Sequence, residues 1–184
     1  MSERSSSGLF LSQTCEYLGH TYPERLTTAL SVLPDGDLWW QPHPGALSVG
    51  TILMHLEGNV RQWILSGIGG EPDARERSGE FSNECREEAS GERTELLERL
   101  TATTGAAAEL LASLQENSMQ ADLVIQGFNV TGLEAMYHVV EHFSWHVGQA
   151  VWIAKARAGI DHGIAFYDEA QVNRDRNDRS IDRL

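Results

Sequence analysis

Cysteine is almost absent from this 184-residue chain, with only Cys15 and Cys85 present. The two are far apart and lack the close pairing of a thiolate metal site. A disulfide scaffold is therefore not expected, and a reducing compartment fits. Long apolar runs are missing too: no stretch approaches the roughly 20 residues that a membrane span requires. The opening segment MSERSSSGLF has neither the basic flank nor the apolar run of a secretory signal. A cytoplasmic location is the expectation. Basic charge is also scarce, 14 Lys and Arg against 27 Asp and Glu, for a formal net charge of −13. Affinity for nucleic acid rests largely on cationic side chains that neutralise phosphates, so neither nucleic acid nor a membrane is an expected partner. There is no internal repeat and no period-two alternation that would build a substantial sheet.

What the chain does contain is helical periodicity, over a length suited to one hydrophobic core. Residues 1–7 are Ser-rich and expected to be disordered. Residues 8–33 form a first helical segment, in which Pro23 predicts a kink or a break. After the loop around Pro34, Pro42 and Pro44, Ser48 is a good N-cap for a second helix running to about residue 66. Residues 67–91 are rich in Gly and charge and read as a long loop between helices two and three, a candidate functional segment. A third helix spans roughly 93–115. A short extended piece at 123–128 precedes a fourth helix, which begins at Thr131 or Gly132 and ends near Gly159. The final residues, 168–184, read as a flexible charged tail. The expected architecture is all-α, a four-helix bundle forming a single domain over residues 8–167.

Histidines stand out on two of these helices. In the fourth, His138, His142 and His146 recur every four residues, and neighbours at that spacing share a helix face and can chelate one ion. Met136, Val139, Val140, Phe143, Val147, Ala150 and Val151 form the apolar stripe. At about 100° per residue, His146 lies roughly 80° from its centre, His142 about 120° away on the same flank, and His138 about 160° away. The pair His142/His146 is thus favoured over His138. In the second helix His55 flanks the stripe of Val49, Ile52, Leu53, Leu56 and Val60, about one turn from Asn59. Imidazole suits zinc, nickel, copper or iron, and three protein nitrogens leave a coordination position open, as in catalytic zinc sites. His138-Val-Val-Glu-His142 also matches the inverted zinc-peptidase motif, with Glu141 as base. That reading fits poorly, because His138 and Glu141 project away from the stripe.

Four stretches, Asp37-Leu-Trp-Trp-Gln-Pro, Ser48-Val-Gly-Thr-Ile-Leu-Met-His55-Leu-Glu-Gly-Asn59-Val-Arg-Gln-Trp63, Gly69-Gly-Glu-Pro-Asp-Ala-Arg-Glu-Arg77 and Glu141-His142-Phe-Ser-Trp-His146-Val-Gly-Gln149, together resemble the DinB-like superfamily of metal-binding four-helix bundles, specifically a branch of unknown function. The resemblance implies one divalent metal ion, commonly zinc or nickel, held by His55, His142 and His146, and frequent dimerisation. It also implies a thiol-dependent S-transferase or isomerase, with a low-molecular-weight thiol such as bacillithiol or mycothiol as cosubstrate. Val147 departs from many relatives, which carry a basic residue there. Asn59 and Gln149 are candidates for orienting the ligands or a bound water. Trp39 and Trp40 are candidates for the site mouth or, more simply, for packing. Tyr137, Trp145 and Trp152 share the outer face of the fourth helix, which suggests a homodimer contact unless Phe166 and Tyr167 cover it. Alternatives to the enzyme are a non-catalytic, dimeric module binding a metal or small ligand, and a metal-dependent hydrolase.

Overall fold

The computed structural model describes residues 5–82 and 86–168. Residues 1–4 of the expected disordered terminus, Cys85, and nearly all of the expected tail lie outside that range.

Helix α1 (Ser6–Glu16) starts on Ser5, whose Oγ accepts the Gly8 N–H at 3.0 Å, so Ser5, Ser6 and Ser7 initiate a helix. The expected break at Pro23 takes another form. Pro23 has no N–H to offer, so the ladder widens ahead of it into a π turn (Tyr17–Thr21), in which the Tyr22 N–H bonds the Tyr17 carbonyl. The chain then continues directly as α2 (Tyr22–Val32). At its far end the Arg93 guanidinium donates to the carbonyls of Leu30, Leu33 and Pro34, at 3.1, 2.6 and 2.9 Å. A cation there satisfies terminal carbonyls and complements the helix dipole.

Helix α3 (Val49–Val60) is capped by Ser48, whose Oγ accepts the Thr51 N–H at 3.1 Å, and is prolonged by a second π turn (Arg61–Ser66). Val49, Ile52, Leu53, Leu56 and Val60 are fully buried along its inner face. Trp39 lies directly on its backbone: a Cβ at Gly50 would meet the indole at 2.7 Å. The Trp39 Nε1–H donates to Glu92 Oε2 at 3.0 Å, and Arg157 stacks on Trp40 at 4.7 Å. Both tryptophans are committed to packing.

The stretch expected as a loop contains a single helical turn, α4 (Arg77–Glu80), before α5 (Glu92–Ser113). After a 3₁₀ turn (Glu116–Gln120), the expected extended piece proves to be a hairpin. In it β1 (Asp122–Ile125) pairs antiparallel with β2 (Phe128–Thr131), with Ile125 opposite Phe128. Gln126 and Gly127 take φ of 53° and 81°, the paired left-handed conformation that suits a two-residue hairpin turn. Helix α6 (Gly132–Ala158) follows at once, closed by a reciprocal Thr131/Glu134 capping box and ended at Gly159, φ 84°.

The described chain is mostly helical, with this hairpin as its one small sheet. α6 packs on α2 and α3, and α5 packs on α1 and α3. One core joins them, with Tyr17, Tyr22 and Phe143 stacked in series at 5.2 Å spacings. Among the described residues no helix is long and apolar enough to cross a membrane.

Candidate metal centre

Because α3 and α6 lie side by side, the flank of each core stripe faces the other helix. His55 on α3 is buried, and His142 and His146, one turn apart on α6, are half-buried. Ring centroids stand 4.9 Å apart for His55 and His142, 5.0 Å for His55 and His146, and 4.6 Å for His142 and His146. Each ring offers a nitrogen lying within 4.8 Å of the other two.

His138 sits outside this group but not opposite the core, as the helical projection placed it. It is half-buried, its ring 4.1 Å from that of Trp63, with Asn59 Nδ2 3.4 Å from its Nε2. Trp63 comes from the π turn that prolongs α3, so α3 is covering more of α6 than an isolated helix would suggest. The Asn59 amide nitrogen thus faces His138. Glu141 is exposed, and the peptidase-like arrangement of His138, His142 and Glu141 does not assemble.

The backs of the rings are held differently. His55 Nδ1 lies 2.8 Å from Glu80 Oε2 and 3.2 Å from Arg75 Nη2. Arg75 also donates to both Glu80 oxygens, at 2.6 and 2.9 Å. Burial acts to raise the Glu80 pKa, yet the hydrogen bonds from Arg75 and His55 outweigh it and hold the carboxyl below its ordinary value. An ionised carboxylate only accepts, so His55 Nδ1 carries a proton, and in the neutral ring its Nε2 carries the lone pair. His146 Nδ1 lies 2.7 Å from Gln149 Oε1, which fixes the same tautomer there. His142 Nδ1 is buried with no hydrogen-bond partner among the described residues.

This arrangement fits a divalent metal. Histidine ligands generally donate their second ring N–H to a carboxylate or carbonyl, leaving the other nitrogen for the ion, as His55 and His146 do here. Two nitrogens about 2.0–2.1 Å from one zinc stand roughly 2.9–3.4 Å apart, for bond angles between square and tetrahedral. His55 Nε2 and His142 Nε2 are 3.0 Å apart. His142 and His146 are also pushed toward the neutral form that ligation requires. Burial, then the neighbouring His146, His55, His138 and Arg75, push the His142 pKa down to about 3. Burial, then His55, also lowers that of His146, against the Gln149 hydrogen bond.

Glu80 and Arg75 did not emerge from the sequence. Glu80 is 25 residues from His55 and inside a segment with no apolar periodicity; a carboxylate that docks from a loop leaves no spacing signature. A cavity of about 130 Å³, lined by Leu47, Ile52, Trp152 and Ile153, reaches Gln149 but none of the three histidines. Cys15 lies away from it on α1, donating to the Ala108 carbonyl at 3.4 Å; burial raises its thiol pKa.

No curated protein matches the chain in sequence. A family profile described as "Protein of unknown function (DUF1572)" matches residues 7–163, a span that takes in all but the first residue of the helices described above together with all three histidines of the cluster. The chain belongs to that family.

Proposed function

We propose that this protein is a divalent-metal-dependent enzyme of the DinB-like kind, its helices grouped as a four-helix bundle around a zinc or nickel ion held by His55, His142 and His146. One observation carries the reading: His55 and His146 each have Nδ1 engaged by an acceptor, which leaves two Nε2 lone pairs in a cluster with His142. When bound, such an ion offers a Lewis-acid position where a thiol or water is acidified. The residues of the chain supply the rest. Glu80 and Gln149 hold two ligands in one tautomer. On the resemblance, the favoured cosubstrate is a low-molecular-weight thiol and the reaction an S-transfer in the cytoplasm.

The same proposal includes a homodimer. Tyr137, Trp145 and Trp152 are 63, 64 and 59% exposed on one side of α6, while Phe166 and Tyr167 pack against Arg25 instead of covering them. Light scattering is expected to give twice the chain mass, reduced by Trp145→Asp.

Elemental analysis of purified protein is expected to find one equivalent of metal, absent from a His55→Ala/His142→Ala double variant. Metal retained in full by that variant rules out the site. Metal-replete protein is then expected to consume bacillithiol, mycothiol or glutathione in the presence of an electrophile. Metal binding without turnover of any of them leaves a binding module in place of the enzyme.

A further inference from the structure

We propose that residues 71–82 act as a strap whose docking on α3 is coupled to metal loading, with Glu80 as the positioning residue that joins the two. The proposal rests on the metal reading above and extends it from the ligands to their control.

The side chains of Asp73, Arg75 and Glu80 reach α3 and the π turn that prolongs it. Arg75 Nη1 donates to Gln62 Oε1 at 2.9 Å. Asp73 accepts from Gln62 Nε2 at 2.7 Å and from the Arg75 N–H at 3.1 Å. The Arg75–Glu80 pair and His55 form a contiguous buried group, with side chains only 4 to 8% exposed. Phe81 adds an apolar contact, its ring 5.0 Å from that of His55, and Arg77 stacks on its other side at 4.9 Å.

A second, independent observation shows that α3 is shaped for this contact. Gly58 stands one turn beyond His55, where helix propensity disfavours glycine. A Cβ there would lie 2.2 Å from Glu80 Oε1 and 2.9 Å from Arg75 Nε. The bare backbone at position 58 leaves room for the ion pair beside His55, and a Cβ there would force the ends of Glu80 and Arg75 to shift.

The coupling has a direct physical cause. An ionised carboxylate on Nδ1–H fixes the His55 tautomer and makes Nε2 a better donor to a cation. Undocking the strap removes that carboxylate and leaves the ring free to rotate. Linkage is reciprocal: whatever factor docking adds to metal affinity, the metal adds to docking.

Zinc alone serves as the probe. Calorimetric titration of wild type, Glu80→Gln and Gly58→Ala is expected to show affinity about 10- to 100-fold weaker in both variants, although Gly58→Ala touches no ligand. Hydrogen exchange on wild type is expected to show zinc slowing the amides of residues 73–82. That measurement stands by itself if Glu80→Gln fails to fold. A purely structural role would lower the melting temperature of the variants yet leave zinc affinity unchanged and exchange in 73–82 indifferent to zinc; that result overturns the coupling. A wild type that binds no zinc overturns the metal reading instead.

Discussion

Behind His55 stands an ionised carboxylate, behind His146 a neutral amide, and behind His142 no hydrogen-bond partner among the described residues. The α3 side of the centre is preset by a charge brought from a separate segment, whereas the α6 side relies on its own helix. Gln149 is three residues from His146 and is positioned as soon as α6 forms. Glu80 is in place only when the strap is docked. The difference teaches that the three candidate ligands are held unequally, one by a charge from a separate segment, one by an amide of its own helix, and one by ring contacts alone.

Removing a candidate ligand altogether is expected to have the largest effect. His146→Ala should lose stoichiometric metal while keeping its helical circular dichroism; full retention of metal would place the ion elsewhere. Changing the acceptor on the α6 side tests the inequality itself. Gln149→Leu should weaken zinc affinity about 10-fold, whereas Gln149→Glu should tighten it by making that side resemble the α3 side. Equal losses in both variants would mean that charge behind the ring is irrelevant.

Acid should distinguish the cluster from the rest of the core. In metal-free protein the His142 pKa is pushed from 6.5 down to about 3, chiefly by burial. The unfolded chain therefore takes up this proton first as pH falls. Folding stability is expected to be greatest above about pH 6.5 and to decline toward pH 3, as measured by urea unfolding, with His138 and His146 acting in the same direction. Metal should oppose that decline, because bound imidazole cannot be protonated. The smallest effect is expected for His138→Ala, with zinc affinity altered by less than about two-fold, since its ring engages Asn59 and Trp63. A loss approaching that of His146→Ala would bring His138 into the centre.

The parts of the molecule governed by local rules could be read from residues alone. Ser48 and Thr131 cap helices because their hydroxyls accept nearby N–H groups, and the flank positions of His55, His142 and His146 follow from helical geometry. What could not be read depends on partners distant in sequence. The projection of His138 failed because Trp63 reaches over it from another helix. The hairpin was hidden because its turn is Gln126-Gly127, which is less telling than Asn-Gly or Asp-Gly. Glu80 and Arg75 were invisible because a buried ion pair formed across a loop follows no period.

The stacking of Trp63 on His138 has a photophysical consequence. Imidazole in contact with an indole shortens its excited-state lifetime, and more so when protonated. Trp63 is buried, its ring against His138, which in turn lies 5.5 Å from His142. Trp145 and Trp152 face outward and emit as exposed indoles, at longer wavelength. Trp63 is therefore a native reporter beside the histidine cluster, separable from the surface tryptophans, though Trp39 is equally buried and emits alongside it.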